Sequence, residues 1–194
     1  VPQMRAAHID LGVTRDACGL AVGHIAGTKI VERTDEETGQ RLIELAPMIA
    51  IDAAIRIVPP PGGEIEFANV RKLLVDLRDK YGLPIEYVTM DGFQSVDSRQ
   101  ILKRLGFKVD YLSVDKKTDA YRTLRDALYE NRLLLPQHTR LVKELADLQY
   151  TRKGQSNIEM VDHRPNGTKD VADAVCGVTA FLMTRRAAWA GDSC

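Results

Sequence analysis

This sequence lacks the features that most often assign a role at a glance. No CxxC pair occurs, and the three cysteines, Cys18, Cys176 and Cys194, are an odd number standing far apart. Neither a disulfide framework nor a thiolate zinc site is indicated, and a reducing cytosol is the simplest compartment. His8, His24, His138 and His163 lack metal-ligand spacing, so each is expected in a structural or surface role. No apolar stretch approaches the roughly 20 residues of a membrane-spanning helix. An excess of one charge is missing too: 27 Lys and Arg balance 27 Asp and Glu. Nucleic acid therefore cannot be held by bulk attraction, and any contact with it needs a local basic patch. There is no internal repeat and no low-complexity segment. The chain opens "VPQM", with no initiator Met and no basic-then-apolar leader, which leads one to expect a fragment or a processed form.

What is present is an ordinary globular composition, 44% hydrophobic and 28% charged, in 194 residues that suit one domain. "RAAHIDLGV" (5–13) alternates with period two and predicts a strand, "CGLAVGHIAG" (18–27) a second, and "MIAIDAAIRIV" (48–58) a third. In the third, Ile49, Ile51, Ile55 and Ile57 are expected on one face. The acidic "ERTDEETGQ" (32–40) reads as a solvated loop. Short links predict an antiparallel meander. "PPPGG" (59–63) ends the run. Helical spacing follows at 64–82, then a strand at 84–92, a helix at 95–106, a strand at 107–114 and a helix at 118–130. A short extended piece (132–136), a helix over 139–150 and a hairpin over 149–162 come next, and a helix over 169–187 closes the chain. Right-handed crossovers place the fourth strand parallel to the first and beside it. The fold expected is α/β: a mixed sheet of five or more strands, three antiparallel and then parallel, with helices on both faces.

This topology gives the acids a meeting point. Asp10 lies in the first strand and Asp91 ends the fourth, on neighbours about 4.8 Å apart. In "TKDVADAV" (168–175), Asp170 and Asp173 head the last helix, three residues apart on one side of it. A helix docked across that end of the sheet would bring all four together. Each acid also has an ordinary explanation, as a strand end, a turn before Gly92, or a helix N-terminus. Taken together, with Asp10 inside an otherwise apolar strand, a cluster is the stronger reading. Crowded carboxylates raise one another's pKa, and a hard divalent cation removes the conflict. Two such ions make the clamp for in-line phosphodiester cleavage.

"HIDLGVTRDACGLAVGH", "VTMDGFQSVDSRQILKRLGF", "DALYENRLLLP" and "KDVADA" resemble the nuclease domain of the large terminase subunit of tailed bacteriophages. That domain has the RNase H-like fold and is similar to RuvC-type resolvases. The resemblance covers nearly the whole chain. It implies a single nuclease domain over 1–194 that cuts double-stranded viral DNA during genome packaging, with little sequence specificity. The implied cofactor is Mg²⁺ or Mn²⁺, with two ions when DNA is bound, and the implied metal ligands are Asp10, Asp91, Asp170 and Asp173. In a complete subunit an ATPase motor precedes this domain, and small terminase and portal are partners. No GxxxxGK[ST] loop occurs here, so the motor is not within this chain. The implied setting is the host cell cytoplasm, without membrane attachment, and the isolated domain is expected to be monomeric.

Candidate phosphate contacts are Arg152 and Lys153 at the hairpin tip, Arg164 and Lys169 beside the acids, and Lys116 and Lys117 after the fifth strand. Contacts of this kind position a duplex without reading its sequence. Asp162 and His163 also lie close to the acids, and His163 is a minor candidate for an outer-shell partner. Three other readings compete. One is a RuvC-type junction resolvase. A second is an actin-like or sugar-kinase-type ATP-binding domain, prompted by "DLGVT" (10–14). The third is a binding module whose acids are only structural.

Overall fold

The computed structural model describes residues 3–11, 17–34, 38–91, 95–114, 118–153 and 158–184, with the side chains of 95, 96, 152, 153 and 158 excepted. Eight strands and five helices follow in the order β1 (Arg5–Asp10), β2 (Cys18–Thr34), β3 (Arg41–Ile57), α1 (Phe67–Asp79), β4 (Ile85–Met90), α2 (Ser95–Arg104), β5 (Lys108–Tyr111), α3 (Asp119–Tyr129), β6 (Leu133–Leu134), α4 (Thr139–Asp147), β7 (Leu148–Lys153), β8 (Ile158–His163) and α5 (Asp170–Thr184). Six strands form one sheet in the order β5-β4-β1-β2-β3-β6, and β7 and β8 form a separate hairpin. β1, β2 and β3 are antiparallel; β4 lies parallel to β1, and β5 parallel to β4. Gly82 and Gly106, beyond the ends of α1 and α2, take the positive φ that stops a helix cleanly.

Two hydrophobic cores lie on the two faces. On one, α1 and α2 supply Val70, Leu74, Leu77 and Leu102 against Ile9, Leu20, Val22 and Val88 of the sheet. On the other, α3, α4 and α5 pack on Ala6, Ala21, Ile49 and Ile51. The segment of α5 from Val171 to Leu182 is buried throughout, so this helix is the centre of its layer rather than an amphipathic cover. No described helix is long and apolar enough to cross a membrane.

Two expectations fail for identifiable reasons. Ile49, Ile51, Ile55 and Ile57 do not share a face. Ile49 and Ile51 join the α5 core, whereas Ile55 and Ile57 pack on the α1 side. The register shifts where Gly23 pairs with Ile51 and Val22 with Ala53, leaving Asp52 as the extra residue of a β-bulge. A bulge interrupts the alternation of faces, so the residues beyond it swap sides. Asp52 itself accepts from Arg5 Nε at 3.0 Å and His24 Nδ1 at 2.8 Å. The second error concerns Glu32–Thr34, read as loop from their charge. They continue β2, paired with Arg41–Ile43 of β3, and Arg33 bridges to Glu44 at 2.5 Å. On a two-stranded ribbon exposed on both sides, charge does not exclude a strand.

Candidate active site at the carboxylate edge

Backbone register puts the first acids in a row. Asp10 is the cross-strand partner of Gly19, and Gly19 of Arg56. Ile9 pairs with Met90, so Asp91, the next residue, emerges beside Asp10. Residues directly opposite in a sheet point to the same face. Ile9, Met90 and Ile55 face α1, so Asp10, Asp91 and Arg56 face α5.

The head of α5 arrives on this row at Gly19. A Cβ there would lie 1.8 Å from the carbonyl oxygen of Asp170, so only glycine admits the helix at this depth. About two turns deeper a second close approach occurs at Gly177, where a Cβ would lie 2.2 Å from the ring of His8. Lys169, just before the helix, has no acceptor with which to cap it. The orphan donors are met instead by Glu144 of α4, which is 2% exposed. Its Oε2 accepts from the amides of Val171 and Ala172 at 2.9 and 3.0 Å. Its Oε1 accepts from Thr168 Oγ1 at 2.7 Å and Arg140 Nε at 3.1 Å.

Each acid is held by its own donors. Asp91 accepts from Ser113 Oγ at 2.7 Å and Tyr111 Oη at 3.2 Å. Asp170 Oδ2 accepts from Arg56 Nε at 3.0 Å. Asp173 is nearly fully buried, accepts from the Tyr121 hydroxyl of α3, and pairs with Lys169 Nζ at 2.5 Å. Asp170 thus turns toward β3, and Asp173 toward α3. Among the described residues no three carboxylate, imidazole or thiol groups are drawn together tightly enough to hold a metal ion. The donor chemistry nevertheless suits Mg²⁺: a few hard carboxylate oxygens from separate elements at an open sheet edge.

Two buried neighbours feel the charge of the acids. Burial pushes the Cys18 thiol up to about 12, and the charges of Asp10 and Asp170 both push the same way. Burial lowers His8 to about 4, opposed by the charge of Asp91. His8 Nδ1 lies 2.8 Å from Thr89 Oγ1, and that hydroxyl donates to the Ala7 carbonyl at 3.4 Å. His8 Nε2 is buried without a partner among the described residues. A ring buried in this way stays neutral, since protonation would add an unpaired buried charge.

Of the basic candidates, Lys169 serves Asp173, and Arg164 lies exposed in the turn after β8. Lys116, Lys117 and the side chains of Arg152 and Lys153 lie outside the described residues. His163 Nδ1 is satisfied locally by the Arg164 carbonyl at 2.8 Å. Sequence reasoning missed Arg56, Glu144, Tyr121, Ser113 and Tyr111. Only Glu144 left a signal, since it interrupts the apolar spacing of Leu141, Leu145 and Leu148.

No protein-family model matches the chain, and no curated protein matches it in sequence. Solved structures do match. The large terminase nuclease from thermophilic phage G20c superposes with a TM-score of 0.64 at 16% identity, covering 91% of this chain and 81% of that one. The same nuclease with bound magnesium gives 0.63 at 16% identity, covering 92% and 81%. The HK97 bacteriophage large terminase gives 0.63 at 13% identity, covering 93% of this chain and 40% of its own. At such identities the likeness is one of fold, and the chain has the RNase H-like fold of the phage large terminase nucleases.

Proposed function

We propose that this chain is a divalent-metal-dependent endonuclease domain that cuts double-stranded DNA during phage genome packaging. The observation that carries the reading is the row of Asp91, Asp10 and Gly19 across three strands, with the Asp170 end of α5 seated on Gly19. The same fold occurs in a terminase nuclease that was solved with magnesium and also with cobalt. In this reading Asp10, Asp91 and Asp170 hold the cation. Asp173, paired with Lys169 and Tyr121 in this structure, would be the fourth acid of the site. Mg²⁺ or Mn²⁺, as a pair when DNA is bound, would supply an activated water and charge stabilisation at the leaving oxygen.

The protein's own residues orient and hold. Ser113 and Tyr111 fix the Asp91 carboxylate, and Glu144 fixes the helix that carries Asp170. Contacts limited to phosphate would position the duplex without reading its bases, so the domain would act with little sequence preference. As a packaging nuclease it would work beside an ATPase motor, small terminase and portal in the cytoplasm of the infected host cell. The test is Asp10→Asn. Mn²⁺-dependent nicking of supercoiled plasmid should disappear while circular dichroism stays that of wild type. Undiminished nicking by the folded variant defeats the proposal.

A further inference from the structure

Two cations lie against the acids, and they are bound differently. Lys169 Nζ is committed to Asp173, which is buried with it. Arg56 touches Asp170 through Nε alone, at 3.0 Å, and among the described residues its Nη nitrogens meet no acceptor. Arg140 meets Glu144 in the same single-nitrogen way, whereas three other arginines of this chain grip their carboxylates with both arms. Arg33 reaches Glu130 through Nε at 2.8 Å and Nη2 at 3.1 Å, and Arg78 reaches Asp79 at 2.6 and 3.2 Å. Arg5 holds Asp52 at 3.0 and 3.4 Å.

We propose that Arg56 is a phosphate-contacting residue of the cleavage site, aimed by Asp170 and open toward the substrate. The proposal rests on the nuclease reading and adds to it a residue that the acids alone do not supply. Three observations support it. Arg56 occupies the same cross-strand row as Asp10, with Gly19 between them and the Asp170 backbone seated over that glycine, so the guanidinium flanks the head of α5 on its β3 side. Its side chain is 28% exposed, against 13% for Asp170, so the arginine is the more accessible member of the pair. An arginine serving only to shield Asp170 gains most from a bidentate grip, which this one does not take. A planar fork fixed at one nitrogen keeps two more that can match two oxygens of a phosphodiester. Neutralising that phosphate favours both duplex binding and the extra charge that builds on it during hydrolysis.

The experiment compares wild type, Arg56→Gln and Arg56→Lys. Duplex binding is followed by fluorescence anisotropy in EDTA over a range of NaCl concentrations, Mn²⁺ binding by calorimetry, and plasmid nicking under saturating DNA. For Arg56→Gln the slope of log affinity against log salt should shrink by about one. Turnover should fall about 10²-fold, with Mn²⁺ binding retained. Arg56→Lys should recover the slope but not the turnover, because an ammonium is a point charge without a fork. A folded Arg56→Gln variant with unchanged slope and turnover overturns the proposal. So does one that loses Mn²⁺ binding at an unchanged slope, since Arg56 would then act only by positioning Asp170. A wild-type chain that neither binds Mn²⁺ nor nicks DNA overturns the nuclease reading, and the role of Arg56 with it.

Discussion

On the α1 side of the sheet, Leu74, Leu77 and Leu102 lie on Ile9, Leu20 and Val22, a layer of large aliphatic side chains with no polar group that the site uses. On the α5 side the contact is made by Ala6, Ala21 and Ala174, by the backbone of Asp170 over Gly19, and by Gly177 against His8. The first layer keeps helix and sheet a side chain apart. The second lets helix backbone and strand backbone nearly touch, and every acid of the candidate site is on that side. Large side chains fill space and tolerate adjustment, whereas small ones fix a helix in depth and register. A carboxylate cluster needs the second kind of contact, because its geometry is lost with a shift of about an ångström.

The comparison can be broken most sharply by exchanging its terms. Gly19→Ala forces the head of α5 off the row, and Mn²⁺-dependent nicking should fall by at least about 10²-fold. Leu74→Ala on the opposite layer should cost about 2–5 kcal/mol in urea denaturation yet leave nicking per folded molecule near wild type. Equal loss of activity in both would mean that the two layers do not differ in this way.

The α5 layer also contains the pH-sensitive group. His8 titrates at about 4 in the fold against 6.5 unfolded, so as pH falls the unfolded chain takes up this proton first. Its contribution is fully present above pH 6.5 and is lost as pH falls toward 4, amounting to about 3 kcal/mol. Denaturation midpoints across that range should show the loss in wild type and a smaller one in His8→Asn. A parallel pair of curves would exclude His8 as the cause.

Glu144→Ala strips the cap from two α5 amides and should cost about 1–3 kcal/mol, with Mn²⁺ binding weakened because the helix end is released. Glu144→Gln keeps an acceptor and should recover most of both. The smallest effect is expected on the outer surface of α1, where Lys72→Ala removes an exposed pair with Asp76. Neither stability nor nicking should change measurably.

Much of the fold was legible because it is written locally. Alternation gave β1, a buried-type apolar run gave β4, helical spacing with glycine stops gave α1 and α2, and the crossover rule put β4 beside β1. Asp10, Asp91 and Asp170 could be nominated from those elements alone. The Asp52 bulge was invisible, because a one-residue slip leaves the pattern of isoleucines unchanged while reversing their faces. Arg56 was unreadable for the same reason: its side chain belongs to the acidic edge only once the register after the bulge is known.

By itself, then, the sequence determined the order and type of most elements and which acids stand at their ends, since propensity and periodicity act over a few neighbours, but not the full length of β2 and β3. Tertiary structure alone decided that α5 seats on Gly19, that Glu144 caps it from another helix, and that Asp170 and Asp173, three residues apart, take Arg56 and Tyr121 as different partners. Those outcomes depend on close contacts between segments distant in the chain, more than a hundred residues apart for Gly19 and Arg56 with Asp170, and on packing depth in all of them. Such contacts are set by the volume left between layers, which no local stretch of chain encodes.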